Sequence, residues 1–318
     1  MHKILGLIAA TFFIASATVQ AQPAGTEKII IDTDIGDDID DAFAVVLALS
    51  SPKFQVLGIS ATFGDTPTRA KLLDRMLAEV GRSDITVAMG VPTKVNLGGF
   101  TQRGYAEKGN FAGPARPNAA DFVLEKVRKY PGQITLVAIG PLSNVGAMID
   151  KDQASFHKLK RVVIMGGSIR TIRDPYGVEA PVAPHPEWNI KNDIASAQKL
   201  FAAGVPLWVM PLDSTANLKL NELARTALFA HASMMTDILA GLYYEWSMAT
   251  RAATPTLYDP MTIAALLDPA LCPLTALRIR VDDAGNTLED QGPANALVCL
   301  HSDTEAFLHF YVNQIVSH

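Results

Sequence analysis

The apolar positions of the chain form short runs that alternate with stretches of helical spacing. Several runs are continuously apolar and β-branched, which is typical of strands that are buried on both faces of a sheet. Strands are predicted at Lys28–Asp32, Gln55–Ser60, Ile85–Ala88, Ile134–Ile139, Arg161–Met165 and Leu207–Met210. Helices between them are predicted at Asp41–Leu49, Thr68–Val80, Ala119–Tyr130, Asn144–Ile149 and Ile194–Ala203. This alternation predicts an α/β fold, with a mainly parallel central sheet flanked by helices.

The last third of the chain is more helical. Its pattern predicts helices at Asn221–Thr250, Asp259–Leu267 and Thr304–Val316, and a hairpin of Leu277–Val281 with Ala294–Leu300 around Gly285-Asn286. Two long stretches rich in glycine and proline, Val91–Pro117 and Gly166–Pro186, are expected to be functional or disordered. Because no repeat or linker interrupts the pattern, we expect a single domain from about residue 26 to residue 318.

The N-terminus differs from the rest of the chain. A weakly basic start, Met1-His2-Lys3, precedes the mostly apolar stretch Ile4–Val19 and the small residues around Ala21. This pattern predicts a secretory signal peptide over residues 1–21, and therefore an exported, periplasmic or secreted protein. The alternative is an uncleaved anchor, for which the apolar stretch is short. After cleavage we expect no stable membrane association.

Composition narrows the classes of partner. The 318 residues are 49% hydrophobic and 19% charged, with a net charge of −5. Because no basic patch interleaved with aromatic residues is present, binding to a nucleic-acid polymer is not expected. Two cysteines, Cys272 and Cys299, fit either one disulfide of an exported protein or two buried thiols.

Candidate chemistry begins with an aspartate run, Asp32–Asp41, in which six of the ten residues are aspartate. Carboxylates at the end of a buried strand repel one another and lose solvation, so they stay ionised only beside a cation or several N–H donors. Oxygen ligands of this kind suit Ca²⁺ or Mg²⁺. A solvated acidic turn with a helix cap is the alternative. The number of aspartates favours a metal site.

Further polar clusters follow other predicted strands. They are Gly64-Asp65-Thr66, Gly140-Pro141-Leu142-Ser143-Asn144, Met165-Gly166-Gly167 and Pro211-Leu212-Asp213. In open α/β sheets the ligand lies outside the carboxyl ends of the strands, where all of these clusters fall. We therefore expect them to converge on one site.

The aspartate run, continued by Ala42, resembles the N-terminal signature of the inosine-uridine-preferring nucleoside hydrolases. Later motifs also fit that family in order: Gly64-Asp65-Thr66, Gly140–Asn144, Met165–Gly167, Glu187-Trp188-Asn189 and Tyr258-Asp259-Pro260. The resemblance implies Ca²⁺-dependent hydrolysis of the N-glycosidic bond of a ribonucleoside, giving ribose and free base in an exported salvage role. It also implies a small-molecule nucleoside as partner and a homo-oligomer, either dimer or tetramer.

The resemblance also assigns residues. Ca²⁺ would be held by Asp34, Asp41, Asp259 and the backbone carbonyl of Ile139, and Asp34 would be the base that deprotonates the attacking water. The substrate would contact Asp38 or Asp40, together with Asp65, Met165, Glu187, Trp188 and Asn189. Trp188, or Tyr243, Tyr244 and Trp246 on one predicted helix, would stack on the base, although the helical three also fit core packing.

Three departures from the family's usual pattern stand out. Asp34 lies two residues farther from the Asp40-Asp41 pair than usual, so Asp38 or Asp40 remains open as a contact, with Asp40-Asp41 favoured by the following Ala42. Tyr258 stands where the family often has the histidine that protonates the departing base, which makes Tyr258 the candidate acid here. The loop before Glu187 lacks an expected asparagine, and His185 lies nearby.

Two other functions remain as alternatives. Strand-Asp-x-Asp also begins the haloacid-dehalogenase-like phosphatases, but the later lysine and second acidic pair of that class have no match in this chain. The replacement of histidine by Tyr258 is also consistent with an exported nucleoside-binding or Ca²⁺-binding protein without turnover. Phosphate release would support the phosphatase, and ligand binding without ribose release would support the binding protein.

Overall fold

A computed structural model of the protein describes residues 26–93, 99–108, 113, 115–174, 177–178 and 180–317. The predicted signal peptide at residues 1–21 lies outside these ranges. Within them, no helix has both the length and the apolar character that crossing a bilayer requires.

In the described ranges, ten strands form two sheets. The strands are β1 (Glu27–Thr33), β2 (Phe54–Ala61), β3 (Thr86–Met89), β4 (Ile134–Ala138), β5 (Arg161–Met165), β6 (Leu207–Met210), β7 (Leu274–Leu277), β8 (Ile279–Val281), β9 (Thr287–Glu289) and β10 (Ala296–Cys299). The main sheet has the order β3-β2-β1-β4-β5-β6-β10-β7, and all of its neighbouring strands are parallel except β10 and β7. The predicted mainly parallel sheet is confirmed.

Helices cover both faces of the main sheet. They are α1 (Asp40–Leu49), α2 (Thr66–Glu79), α3 (Arg103–Glu107), α4 (Ala119–Lys129), α5 (Ser143–Phe156), α6 (Trp188–Lys191), α7 (Ile194–Ala202), α8 (Leu212–Thr215), α9 (Glu222–Ala230), α10 (Met234–Thr250), α11 (Pro260–Leu267) and α12 (Thr304–Val316). Side chains of α1, α2, α10, α11 and α12 form the core on one face, and those of α4, α5 and α7 form the core on the other.

Strand β1 shows why the apolar runs are continuous. Ile29 and Ile31 pack into the core on the α1 side, whereas Ile30 between them packs into the core on the α4 side. All three side chains are fully buried. Since both faces of a central strand are covered, no position along it is left for a polar residue until the strand ends.

The predicted hairpin in the last third is wrong. Strand β8 pairs with the short β9, Thr287–Glu289, and not with the later segment. Ala296–Cys299 instead enters the main sheet as β10, between β6 and β7. Predicted helix Asn221–Thr250 is two helices, because a capping box between Ser233 and Thr236 starts α10 anew.

The two cysteines form a disulfide. Cys272 and Cys299 are joined with their Cα atoms 5.5 Å apart. Of the two states that the sequence left open, the structure has the bonded one, which ties the segment before β7 to the end of β10.

Candidate active site

The candidate site lies where the strand order reverses. From β1 the chain proceeds to β2 and β3 at one edge of the sheet, and from β4 it proceeds to β5 and β6 on the other side. A reversal of this kind opens a crevice at the carboxyl ends of the two central strands. A cavity of about 370 Å³ occupies this position, and all of the predicted site residues except Asp65 line it.

Three buried aspartates form a carboxylate cluster at this cavity. Asp40, Asp41 and Asp259 each place a carboxylate oxygen within 4.8 Å of the other two. Asp40 and Asp41 begin α1, and Asp259 lies immediately before Pro260 at the start of α11. The Asp259 amide donates to Asp40 Oδ2 at 3.3 Å, across a sequence separation of 219 residues. The fold thus brings the aspartate run to the predicted far ligand.

The cluster has more negative charge than its surroundings compensate. Burial raises the pKa of Asp40, Asp41 and Asp259 well above the usual value. Repulsion from neighbouring carboxylates raises each pKa further, and Asp34 is among these neighbours for all three. Thr33 donates a hydrogen bond to Asp41 Oδ1, which opposes the shift only in part. Buried carboxylates that lack a counter-charge are the donor set that a hard divalent cation stabilises. The cluster therefore fits a metal ion.

Asp34 and Ile139 lie beside the cluster at the ends of β1 and β4. Gly140 lets these strand ends approach closely, since a Cβ there would lie 2.8 Å from both Asp34 N and Asp34 Oδ1. Burial raises the pKa of Asp34 to about 7, although the charge of Arg69 opposes this shift. Asp34 is thus a carboxyl group whose protonation changes near neutral pH in the absence of a metal.

The wall opposite the aspartate run is formed by Glu187 and Asn189 at the start of α6. Glu187 accepts hydrogen bonds from the amides of Asn189 at 2.9 Å, Gly167 at 3.0 Å and Ile190 at 3.2 Å. The side-chain nitrogen of Asn189, Nδ2, donates to the backbone carbonyls of Met165 at 3.1 Å and Ile139 at 3.2 Å. Both polar side chains are held in fixed orientations at the cavity, as recognition of a polar ligand requires.

The outer end of the cavity is aromatic. Trp188 is 43% exposed there, with Lys191 Nζ 5.2 Å from the centre of its ring. Tyr258 and the exposed His185 also line the cavity. Burial raises the pKa of Tyr258, and the carboxylates of Asp40 and Asp38 raise it further. Tyr258 is therefore a protonated donor at neutral pH.

Asp65 is the predicted substrate residue that the structure does not bring to the cavity. Its side chain caps α2 by accepting from the Thr68 amide at 3.2 Å, and it pairs with Arg103 at 3.0 Å. Although burial acts to raise the pKa of Asp65, these partners outweigh it and lower the pKa. The carboxylate is already used in holding the helix end, so a ribose contact from Asp65 is not part of the observed site.

The three aromatic residues of α10 do not line the cavity either. Trp246 is buried and donates a hydrogen bond to the Asp38 carboxylate, while Tyr243 packs against Phe229 and Trp246. Tyr244 is 65% exposed on the outer surface of the helix. Of the two alternatives for these residues, the structure shows core packing for Tyr243 and Trp246.

Sequence reasoning missed Arg69, a fully buried arginine of α2 that contacts the loop after β1. A signal was present. Leu72, Leu73 and Met76 follow Arg69 at spacings of three, four and seven residues and all belong to the core, so Arg69 lies on the buried stripe of an amphipathic helix. An arginine at such a position must have partners inside the protein.

The chain is similar in sequence to known nucleoside hydrolases. A family model described as "Inosine-uridine preferring nucleoside hydrolase" matches residues 29–309. Uridine nucleosidase 1 of Arabidopsis thaliana is 30% identical over 287 residues, which cover 84% of this chain and 82% of the relative. Pyrimidine-specific ribonucleoside hydrolase RihA of Shewanella sp. (strain ANA-3) is 29% identical over 317 residues, which cover 91% and 96%.

Solved structures agree with these sequence matches. The plant nucleoside hydrolase PpNRh1 superposes with a TM-score of 0.78 at 25% identity, over 92% of this chain and 100% of that one. The purine-preferring ribonucleoside hydrolase from Gardnerella vaginalis has a TM-score of 0.75 at 23% identity, over 92% and 98%, which shows the shared fold. These matches exclude the phosphatase alternative. The relatives are N-ribohydrolases by name, and this chain belongs to the inosine-uridine preferring nucleoside hydrolase family.

Proposed function

We propose that this protein hydrolyses the N-glycosidic bond of a ribonucleoside, releasing ribose and the free base, with one Ca²⁺ as its resident metal. One observation carries the proposal. The carboxylate cluster of Asp40, Asp41 and Asp259 lies in the same cavity as the fixed Glu187 and Asn189. A metal-binding group and a group that can grip a sugar therefore share one pocket of a size suited to a nucleoside.

Asp34, Asp41, Asp259 and the Ile139 carbonyl would hold the ion. All four supply hard oxygen donors, the kind that Ca²⁺ prefers. Asp40 also has an oxygen in the carboxylate cluster, so its carboxylate is available to the ion as well as to the sugar. When bound, the metal orients the attacking water and makes it easier to deprotonate.

Asp34 accepts the proton of that water. Its carboxylate lies in the cavity beside the cluster, where Gly140 leaves room for it. A carboxylate in reach of both the ion and the attacking water can serve as ligand and as general base.

The sugar is stabilised by the walls of the cavity. Cleavage of an N-glycoside passes through a state with positive charge on the sugar ring, which the surrounding carboxylates stabilise. Glu187, Asn189 and Asp40 form hydrogen bonds to the ribose hydroxyls. A deoxyribonucleoside would leave a buried polar group of the protein unpaired, which costs about 1–3 kcal/mol for each such group. We therefore expect it to be a poorer substrate.

At the outer end, Trp188 stacks on the nucleobase and Tyr258 donates the proton that the base takes as it departs. Both side chains line the cavity, and the indole is 43% exposed there, which supports these two roles.

A reducing-sugar assay tests this function. The protein is incubated with inosine, uridine, adenosine, cytidine and nicotinamide riboside, with Ca²⁺ and after chelation. We expect ribose release from at least one of them, and its loss on chelation. Binding of a nucleoside without ribose release from any of the five would instead support the non-enzymatic alternative.

Asp34→Ala is the variant that tests the base. We expect it to abolish turnover, because no other carboxylate would replace the lost oxygen without moving the loop. Asp65→Ala is the matched control, since it removes an aspartate outside the cavity. It removes the cap of α2, at about 1 kcal/mol of stability, and the surface pair with Arg103. Turnover of Asp34→Ala within a few-fold of wild type would refute its role.

We further propose that the chain is exported and that the mature protein begins near Gln22. The support is the basic and apolar pattern of residues 1–21. N-terminal sequencing of protein recovered from the exported fraction tests the cleavage site, and a native mass measurement tests the dimer or tetramer that the family resemblance implies.

A further inference from the structure

Arg69 is a buried charged residue to which the proposed reaction assigns no role. It lies in the first turn of α2, which begins soon after β2 ends, and it is the largest side chain that is fully buried among the described residues. A buried guanidinium is stable only when its donors are satisfied and its charge is paired.

Its donors bind the loop that joins β1 to α1. Nη1 donates to the carbonyl of Ile35 at 2.9 Å and to that of Asp34, and Nη2 donates to Asp37 Oδ2 at 2.8 Å. Nε donates to the carbonyl of Phe63 at 2.8 Å, at the end of β2. One planar group thus ties the loop to the neighbouring strand end through three backbone carbonyls and one carboxylate.

The bonds engage the main chain of Asp34 and leave its side chain to the cavity. Asp34 lies in a segment without regular secondary structure, among carboxylates that repel one another. Without an anchor, such a loop would relax by moving its carboxylates apart. Arg69 supplies both the anchor and a positive charge, although it does not itself line the cavity.

We propose that Arg69 is a positioning residue for the metal site, which fixes the β1–α1 loop so that Asp34 stays beside the carboxylate cluster. This inference rests on the proposed function. Arg69 itself contacts neither metal nor substrate, and it acts through the backbone of Asp34 and Ile35. Residues that hold metal ligands in place in this way typically account for 10–100-fold in metal affinity or activity.

The competing explanation is a purely structural ion pair, and α2 offers a matched control. Asp74, on the same helix, pairs with Arg116, whose Nε lies 2.6 Å from Asp74 Oδ2. The side chain of Arg116 is 19% exposed and that of Asp74 is 5% exposed. This second pair joins α2 to the segment after β3 and does not reach the cavity. Arg116→Lys therefore perturbs a largely buried pair of the same helix without touching the β1–α1 loop.

The test compares Arg69→Lys with Arg116→Lys in the full chain. Lysine keeps the charge but lacks the planar fork and two of the five donors of arginine. We expect both variants to unfold at lower temperature than wild type. Only Arg69→Lys should raise the Kd for Ca²⁺, measured calorimetrically well below the unfolding temperature, by about tenfold or more, with a parallel fall in kcat.

Asp37→Asn provides a second measurement that keeps the three carbonyl bonds. It weakens the ion pair and also removes one negative charge from the lining of the cavity, where Asp37 lies. We expect it to fold and to raise the Kd for Ca²⁺ by less than Arg69→Lys does. An unchanged Kd in Arg69→Lys overturns the proposal, as does an unchanged Kd in Asp37→Asn if Arg69→Lys fails to fold. An equal rise in Arg116→Lys also overturns it. Wild-type protein that neither binds Ca²⁺ nor releases ribose would overturn the proposed function and this inference with it.

Discussion

Tyr258 retains its proton at neutral pH and lines the cavity. Burial, followed by the charges of Asp40 and Asp38, raises the pKa of its hydroxyl, so it gives up the proton only to a strongly basic partner. A nucleobase that departs with the electron pair of the broken bond is such a partner.

We therefore expect Tyr258→Phe to lower kcat for a cleaved nucleoside by about 100-fold or more. The variant should hydrolyse p-nitrophenyl riboside at nearly the wild-type rate, because p-nitrophenolate leaves without a proton. Steady-state rates on both substrates decide the matter, and an equal loss on the two would show that Tyr258 is not the acid.

The sequence alone identified those site residues whose type has few other roles inside a protein. Buried carboxylates such as Asp41 and Asp259 have little to do inside a protein except bind cations or donors, so their prediction is specific. An aspartate after a strand can either contact a ligand or cap the next helix, and Asp65 was assigned to the sugar. In the structure it caps α2, which begins at the following Thr66-Pro67. Arg69 was missed because a single arginine in a helix is usually at the surface.

At the scale of elements, the β1–α1 loop is packed too tightly to accept a larger residue. Gly36 has a φ of +121°, and a Cβ there would lie 2.3 Å from the ring of Phe100. The same ring lies 5.4 Å from the Arg69 guanidinium carbon. The loop, the ring and the arginine therefore form one packed unit.

We expect Gly36→Ala to lower the free energy of unfolding by about 1–3 kcal/mol and to weaken Ca²⁺ binding, because the strained loop must shift. Gly81→Ala is the control, since Gly81 has a φ of +70° and nothing within 4 Å of its Cβ position. Denaturant unfolding and calorimetric titration of both variants test this. Equal Ca²⁺ affinity in Gly36→Ala and wild type would contradict it.

The central strands were predictable because burial on both faces leaves a continuous apolar run, as Ile29, Ile30 and Ile31 show. The strand pairing in the last third of the chain was not predictable in this way. Thr287–Glu289 has only three residues, too few to give a pattern, so the hairpin was assigned to the apolar Ala296–Cys299 instead. Which partner an apolar strand takes depends on long-range contacts, which local periodicity does not encode.

At the scale of the whole molecule, the metal site makes stability depend on pH. In the metal-free protein the pKa of Asp34 is about 7, raised from a usual value of 3.8 by burial. The folded state then binds more protons than the unfolded state between these values, so stability falls as pH rises through this window. Asp40, Asp41 and Asp259 shift in the same direction.

In the proposed Ca²⁺ complex this dependence is reversed, because the ion binds the ionised carboxylates and competes with protons. We expect the increase in unfolding temperature on adding Ca²⁺ to be larger at about pH 8 than at about pH 5. Thermal unfolding curves recorded with saturating Ca²⁺ and with chelator, at both pH values, measure this increase. An equal increase at the two pH values would mean that these carboxylates do not hold the ion.

The distance in sequence between Asp40 and Asp259 has a consequence for when the protein becomes active. A chain that has emerged and folded only as far as β6 already contains the strand ends, Glu187 and Asn189, yet it lacks the last carboxylate of the cluster. On the proposed assignment of Asp259 as a metal ligand, hydrolysis is postponed until α11 docks against α1. Molecules that lack α11 are then expected to stay inert toward nucleosides, so that activity reports a completed fold.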